Sequence, residues 1–197
     1  MDAPWTIDQA LDYASGLLRG ERVSLRESTE DDFAVLARWW AEPAVSVLQT
    51  NFVRPTPATT VSDMMRGWNT NVGNDAGFTI VLNPEGSEGG QPGTVIGQVG
   101  LFGIGKNRTA TLGIIVGTEY WGQGLGTEAL RLAVGYGFVE MGLHRIQLGV
   151  YGYNDRAIRA YSKVGFREEG RQREAVYHDR RWHDELLMGI LEHEWHS

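Results

Sequence analysis

Apolar residues recur at helical spacing in five segments of the chain, and shorter apolar segments lie between them. A helix brings a residue back to the same face about every 3.6 positions, whereas a strand alternates faces, so the spacing separates the two. The predicted helices cover residues 6–18, 28–40, 60–69, 127–138 and 154–165. The predicted strands cover residues 21–26, 77–82, 94–102, 109–116, 144–151, 171–177 and 185–191.

Two segments lack either pattern and predict loops. Residues 44–57 follow Pro43, which ends the second helix, and residues 83–93 are rich in Gly and Pro. The second segment is too short for a domain linker and predicts a long, mobile hairpin loop.

The order of the elements, α-β-α-α-β-β-β-α-β-α-β-β, predicts a mixed α+β fold. Consecutive central strands favour an antiparallel meander, and the last strand-helix-strand units favour right-handed parallel crossovers. The expected architecture is one mixed sheet with helices on both faces.

Composition narrows the class of protein. The 197 residues are enough for one domain with a sizeable core. A formal net charge of −7 argues against phosphate-based nucleic-acid binding and suits cationic partners. The chain has no Cys, which excludes disulfides, thiolate metal ligands and a cysteine nucleophile. The acidic N-terminus is unlike a signal peptide, and no apolar run is long enough for a membrane span, so we expect a cytoplasmic protein.

Three glycines at alternate positions stand between a predicted strand and a predicted helix: Gly122, Gly124 and Gly126. The N–H groups at a helix N-terminus bind phosphate when no side chain blocks the approach. A tight glycine-rich turn without a ligand is the alternative. No G-x-G-x-x-G motif occurs, because Thr127 stands where its last glycine would be, and no Walker A lysine follows. A Rossmann-type dinucleotide binder is therefore disfavoured.

A second motif lies one strand downstream, and the pair resembles the GNAT N-acetyltransferase superfamily. Residues 154–166 read N-x-x-A-x-x-x-Y-x-x-x-G-F, and residues 121–126 match the signature R/Q-x-x-G-x-G/A except at Trp121. Within the superfamily the chain looks like the ribosomal-protein alanine or serine N-terminal acetyltransferases. The resemblance covers roughly residues 21–191, so residues 1–20 are interpreted as a helical extension and residues 21–197 as the acetyltransferase domain.

The resemblance implies a three-layer α-β-α sandwich around a mostly antiparallel sheet, splayed at an acetyl-CoA site between strands 109–116 and 144–151. It implies a pyrophosphate on the backbone amides of residues 122–127. The cofactor-binding residues that it implies are Ile114, Ile115, Val116, Trp121, Gly122, Gln123, Gly124, Leu125, Gly126, Thr127, Asn154, Ala157 and Tyr161. Arg131, Arg159 and Lys163 are candidates for the 3′-phosphate, with a solvated helix face as the alternative.

The chemistry needs a polarised thioester, a free amine and a proton for the leaving thiolate. The expected contributors are a backbone N–H near Ile115 and the Tyr161 hydroxyl as general acid, with core packing as the alternative for Tyr161. The base is open, because Thr111 stands where this branch often carries Glu. The candidates are Glu119, Glu128, His144 and Asp155, although Glu128 also suits the first turn of its helix.

The missing Glu favours an acceptor with a low pKa. An α-amine, with a pKa of about 8, needs a base less than lysine at about 10.4. Trp39, Trp40 and Trp68 are candidates to wall the acceptor cleft, or else to fill the core. The histidines near the C-terminus are interpreted as surface residues, so no metal is expected.

The predicted function is direct acetyl transfer from acetyl-CoA to a primary amine, first of all a protein or peptide N-terminal α-amine. A small amine is the second hypothesis: an aminoglycoside or other antibiotic, a polyamine or an amino-acid derivative. A non-catalytic acyl-CoA-binding module is the third. A homodimer follows only by analogy with the family.

Overall fold

The computed structural model describes residues 5–84 and 93–196. Most of the predicted hairpin loop at 83–93 therefore lies outside the described residues. The elements are α1 (Ile7–Gly16), β1 (Val23–Arg26), α2 (Glu30–Ala41), α3 (Pro43–Gln49), α4 (Ala58–Trp68), β2 (Ala76–Leu82), β3 (Val95–Phe102), β4 (Thr109–Val116), α5 (Leu125–Val139), β5 (Arg145–Tyr151), α6 (Asp155–Val164), β6 (Arg167–His178) and β7 (Arg181–Leu191).

The strands form one seven-stranded sheet in the order β1-β2-β3-β4-β5-β7-β6. Every neighbouring pair is antiparallel except β4 and β5, which run parallel. The expected mixed, mostly antiparallel sheet is therefore confirmed. The strands joined by the last crossover, β5 and β6, are not neighbours in the sheet, because β7 lies between them. A two-residue turn at Asp179 and Arg180, both with positive φ, folds β7 back so that it pairs with both strands.

Helices cover the sheet on two sides. Helix α5 packs Leu130, Val134 and Phe138 against β4 and β5, and its Ala129 and Ala133 against β1 to β3. Helices α2 and α4 form a second core on the other side, around Trp39, Met65 and Ile115. The result is the three-layer arrangement that the resemblance implied. None of the described helices is long and apolar enough to cross a membrane.

Two helical predictions need correction. Residues 44–57 were predicted as loop, but Pro43 occupies the first turn of α3 and so begins a helix as well as ending one. A seven-residue helix is too short to show a 3.6-residue period. The predicted first helix forms as α1, but its apolar stripe is not buried: Ile7 is 75% and Leu11 63% exposed.

The pairing of β4 with β5 is short. Only Thr109, Ala110 and Thr111 pair with β5, at Arg145, Ile146 and Gln147. Beyond Thr111 and Gln147 the two strands separate, while β4 stays paired with β3 up to Val116. The predicted splay is confirmed, and we call the opening between residues 112–116 and 148–151 the fork.

A buried ion pair fixes α2 to the sheet. Arg26 on β1 makes two hydrogen bonds to Asp32, at 2.6 and 2.9 Å. The backbone N–H of Thr29 donates to Asp32 Oδ2 at 2.7 Å, and the Thr79 hydroxyl donates to it at 3.2 Å. Burial alone would raise the pKa of Asp32, but the hydrogen bonds from Arg26 and Thr29 and the Arg26 charge hold it below its usual value. The ionised form therefore stabilises the fold.

We expect Asp32→Asn to lower the free energy of unfolding by about 2 to 3 kcal/mol at pH 7, because it leaves a guanidinium without its anion. The estimate lies at the low end for buried pairs, since a quarter of the Arg26 side chain is exposed. The Asp32 contribution is complete above its unfolded pKa of about 3.9 and is lost as the pH falls through the lower folded pKa.

Urea unfolding between pH 7 and 2.5 tests this, with Asp31→Asn as the matched control, since Asp31 is exposed on the same helix turn. The difference between wild type and Asp32→Asn should shrink in acid. A difference that stays constant across this range would contradict the assignment.

Candidate active site

The glycine loop leaves open space in front of a helix N-terminus. Gly122 and Gly124 have φ values of 76° and 82°, which side chains disfavour, and a Cβ on Gly122 would meet no atom within 4 Å. Gly124 caps α5 without a side-chain hydrogen bond. Gly126 has no such constraint, since its Cβ would make an ordinary 3.4 Å contact with Val116. The first N–H groups of α5 are thus available to an anion.

A cavity of about 310 Å³ connects this loop with the fork. Its walls come from α3, β4, the glycine loop, the start of α5, and α6. The predicted cofactor residues that line it are Ile114, Ile115, Val116, Trp121, Gly122, Gly124, Gly126, Thr127, Asn154, Ala157 and Tyr161.

Two predicted cofactor residues do not line the cavity. The Gln123 side chain donates to the Glu119 carbonyl at 2.9 Å. Leu125 is 5% exposed and packs in the core with β1 to β3. Their positions in the glycine loop let only their backbone groups contribute to an anion site.

The edge of β4 that faces the fork is defined by its hydrogen bonds. The Gly117 N–H donates to Ile96 on β3, so odd-numbered residues of β4 direct their backbone groups towards β3. Ile114 and Val116 direct theirs into the fork, where Gln49 Nε2 and Trp121 Nε1 donate to their carbonyls at 3.0 and 2.7 Å. The backbone N–H groups near Ile115 that face the fork are therefore those of Ile114 and Val116.

A guanidinium that the sequence analysis missed lies in the same cavity. Arg156 lies over the Trp121 ring, 3.5 Å from its centre, and both residues line the cavity. Burial lowers the pKa of Arg156, and no carboxylate of the described residues forms an ion pair with it. Trp121 stands where the motif has Arg or Gln, and its indole offers an aromatic face to the Arg156 guanidinium.

The three residues that were predicted to bind the 3′-phosphate differ in whether they line the cavity. Arg159 and Lys163 line the cavity, whereas Arg131 does not and donates to the Lys163 carbonyl at 3.3 Å. The charged side chains on the cavity wall are thus all cationic: Arg156, Arg159 and Lys163.

Tyr161 lies on α6 at the cavity wall and is 8% exposed. Burial raises the pKa of Tyr161 to about 12, and the nearby Arg156 charge acts in the opposite direction. Asn154 places this helix: its side chain accepts from the Ala157 N–H at 3.2 Å. Tyr161 is thus fully protonated at neutral pH, as a proton donor must be.

The base candidates all lie away from the cavity wall. Glu119 accepts from Trp39 Nε1 at 3.1 Å, and Glu128 accepts from the N–H groups of Arg22 and Val23 at 2.7 and 3.2 Å. His144 is exposed at the start of β5, the paired end of the strand, and Asp155 is exposed in the first turn of α6. Glu128 therefore joins α5 to β1, and none of the four faces the fork.

The tryptophans serve mainly as core. Trp39 is 1% exposed beside Gly117, whose Cβ position its ring occupies. Trp40 stacks edge to face on Trp68 and lines a separate cavity of about 270 Å³ with Phe52 and Arg54. The described residues contain no group of three or more His, Asp or Glu side chains placed to hold a metal.

Comparison with known proteins fits this geometry. The family model of the acetyltransferase (GNAT) domain matches residues 22–167. The chain belongs to this family. It is therefore an acetyl-transferring enzyme.

Three relatives illustrate the range of proteins to which this acetyltransferase is similar. The uncharacterized N-acetyltransferase p20 of Bacillus licheniformis is 29% identical over 89% of this chain and 96% of the relative. The spermidine N(1)-acetyltransferase of Escherichia coli is 35% identical over 45% of this chain and 48% of the relative. The putative ribosomal N-acetyltransferase YdaF of Bacillus subtilis is 30% identical over 52% and 57%. The last two matches span only about half of each relative.

The fold agrees with solved structures. The spermidine N-acetyltransferase of Vibrio cholerae, solved in complex with CoA and spermine, superposes with a TM-score of 0.75. The alignment covers 87% of this chain and 96% of the other at 22% identity. At that identity the likeness establishes the fold alone.

Glu128→Gln should separate a structural carboxylate from a catalytic one. We expect it to lower the free energy of unfolding by about 1 to 2 kcal/mol, because it weakens charge-assisted hydrogen bonds to Arg22 and Val23. The acetylation rate constant of the folded enzyme should stay within about twofold of wild type, since proton-transfer residues contribute 10²-fold or more. Urea unfolding and steady-state kinetics measure the two effects.

Glu21→Gln is the control, since Glu21 is exposed beside the same strand. A rate loss of about 100-fold in the folded Glu128→Gln enzyme would restore Glu128 as a base.

Proposed function

We propose that this acetyltransferase moves the acetyl group of acetyl-CoA directly to the N-terminal α-amine of a protein or peptide. The observation that carries the proposal is the cavity that joins an open helix N-terminus to the fork of β4 and β5. A phosphate end and a reacting end of one long ligand can be bound there at once. Without any Cys in the chain, transfer through a cysteinyl enzyme is excluded.

The cavity fits the cofactor in charge and in shape. The open space at Gly122 and the N–H groups of α5 suit a pyrophosphate, and the Arg156 guanidinium adds a cation without an anion of its own. Arg159 and Lys163, further along α6, are assigned to the 3′-phosphate. The exposed backbone edge at Ile114 and Val116 suits the amides of the pantetheine arm.

Acetyl-CoA supplies the activated acetyl thioester. The N–H groups of Ile114 and Val116 face the fork and can donate to a thioester oxygen there. Tyr161 holds the proton that the departing sulfur needs. Its pKa of about 12 makes it a weaker acid than an exposed tyrosine, and the Arg156 charge nearby favours the phenolate that proton donation leaves.

The acceptor is argued from what the cavity wall carries. None of the described residues that line the cavity is Asp, Glu or His. An acceptor that is already partly neutral suits such a site, and an α-amine with a pKa of about 8 is partly neutral at physiological pH. A polyamine is the second candidate, favoured by the spermidine-acetylating relatives. Membership of an enzyme family disfavours the non-catalytic binding module.

Thiol release from acetyl-CoA across a panel of amines tests the function. The panel holds peptides that begin with Ser or Ala, the same peptides with a blocked N-terminus, spermidine and an aminoglycoside. We expect turnover of the free peptides, with kcat/KM rising up to a pH of about 8 as the amine loses its proton. Since the chain has no Cys, a thiol-reactive dye has no protein background.

Tyr161→Phe belongs in the same assay and should lower kcat by about 10²-fold or more, the range of a general acid. Because Tyr161 stays protonated well above pH 10, the wild type should show no alkaline loss from this group below pH 10. Turnover of spermidine but of none of the peptides would contradict the α-amine acceptor and indicate a polyamine acceptor instead.

Arg156→Ala should weaken acetyl-CoA binding by about tenfold or more, because it removes a charge-assisted contact to phosphate. Arg159→Ala is the variant for comparison, because Arg159 lies three residues further along α6 on the same cavity wall and is assigned to the 3′-phosphate. Calorimetry with CoA and with dephospho-CoA separates the phosphates. The Arg156→Ala loss should be equal for both ligands, whereas the Arg159→Ala loss should vanish with dephospho-CoA.

Equal affinity of wild type and Arg156→Ala for CoA would exclude Arg156 from the site. The stacking on Trp121 has its own test in Trp121→Ala, which keeps the guanidinium but removes its support and should give an intermediate loss.

A further inference from the structure

The fork has a second side, opposite α5 and α6. Helix α3 and the turn after it lie there and are hydrogen-bonded to the end of β5, which we call the far arm of the fork. The Tyr153 hydroxyl donates to the Val47 carbonyl at 2.6 Å, and the Tyr151 hydroxyl donates to Asn51 at 2.9 Å. Since the phosphate end of the cavity lies at α5 and α6, we assign the side of α3, which lines the same cavity, to the acceptor.

One carboxylate extends over the far arm on that side. Glu185 on β7 pairs with Tyr151 on β5, and its carboxylate lies against Gly149, where a Cβ would collide with it. Gly149 is exposed on the side away from α5 and α6, because its neighbours Leu148 and Val150 are buried against those helices. It lies two residues beyond Gln147, the last residue of β5 that pairs with β4.

This carboxylate lacks the partners that its neighbours have. Asp184, the preceding residue, accepts from the Glu174 N–H at 3.0 Å and lies 3.6 Å from Arg171. Glu185 is half-buried, and no described residue donates a hydrogen bond to its carboxylate or forms an ion pair with it. After burial, its charge is the second cause that raises the pKa of Tyr151. A half-buried anion without a cation is stabilised by a positively charged ligand.

We propose that Glu185 attracts the acceptor in its ammonium form to the open side of the fork, and that the neutral amine attacks the thioester after this proton has passed to water. The proposal rests on the proposed amine acetylation and names a residue for its acceptor side. The Tyr151 ring lies near the Glu185 charge, and the Tyr153 ring is 5.5 Å from that of Tyr151, so the two add aromatic faces that attract a cation. Gly149 is part of the subsite, because only a residue without a side chain leaves room for the carboxylate there.

Glu185→Gln tests the proposal, since it keeps the shape and removes the charge. With an Ala-starting peptide, KM should rise about tenfold, the effect of one lost charge-assisted hydrogen bond at a partly exposed site. The rate constant kcat should stay within twofold, and the affinity for acetyl-CoA, measured by calorimetry, should not change. Glu192→Gln is the matched control, because Glu192 is exposed at the other end of β7.

Gly149→Ala is an independent variant that leaves the charge but displaces the carboxylate, and it should also raise KM. Raising NaCl to 0.5 M should raise the wild-type KM towards that of Glu185→Gln while changing the variant little, because salt screens the attraction. Melting temperatures of all variants confirm that each is folded.

The two hypotheses fail separately. Wild-type turnover of the panel amines tests the proposed function by itself, and the ratio of Glu185→Gln to Glu192→Gln is measured on whichever amine the wild type acetylates. If that ratio is within twofold for KM, Glu185 does not bind the acceptor and the proposed function stands. A Glu185→Gln enzyme that loses acetyl-CoA affinity would also overturn the assignment.

Discussion

The short pairing of β4 with β5 is the constraint on which the site depends. Three residue pairs hold the two strands together, and then the strands separate while each stays paired with its other neighbour. Backbone groups in a sheet interior normally have strand partners. At the fork the carbonyls of Ile114 and Val116 instead accept hydrogen bonds from the side chains of Gln49 and Trp121. The sheet thus keeps a polar edge open inside the protein, where a ligand can add hydrogen bonds as a strand would.

The fork has opposite charges on its two sides. Arg156, Arg159 and Lys163 line the side of α5 and α6, and the unpaired Glu185 lies on the other. This arrangement suits an anionic donor and a cationic acceptor that meet from opposite directions. The protein as a whole is acidic, so the cationic wall is a local feature and not a consequence of composition.

Several carboxylates near the site have structural partners. Glu128 joins the start of β1 to α5, and Glu119 holds the indole of Trp39. Both lie within ten residues of the glycine motif in sequence, which is why they were plausible bases. Carboxylates with such partners lose them on protonation, so a structural anchor is poorly suited to proton transfer. The side chain that best meets an acceptor, Glu185, is distant in sequence from both motifs.

The sequence by itself predicted the class of fold and the glycine loop before a helix, because these depend on local spacing, and it indicated the family through the resemblance of two motifs. Helix periods, the positions of Gly122 and Gly124, and the Asn154 cap act within a few residues of chain. Only the tertiary structure decided which side chains share the cavity. Arg156 became a binding candidate by lying on Trp121, and Glu185 by reaching across a strand to Gly149. The strand order, with β7 between β5 and β6, brings together residues that are more than 30 positions apart in sequence. A short-range sequence pattern cannot predict such contacts.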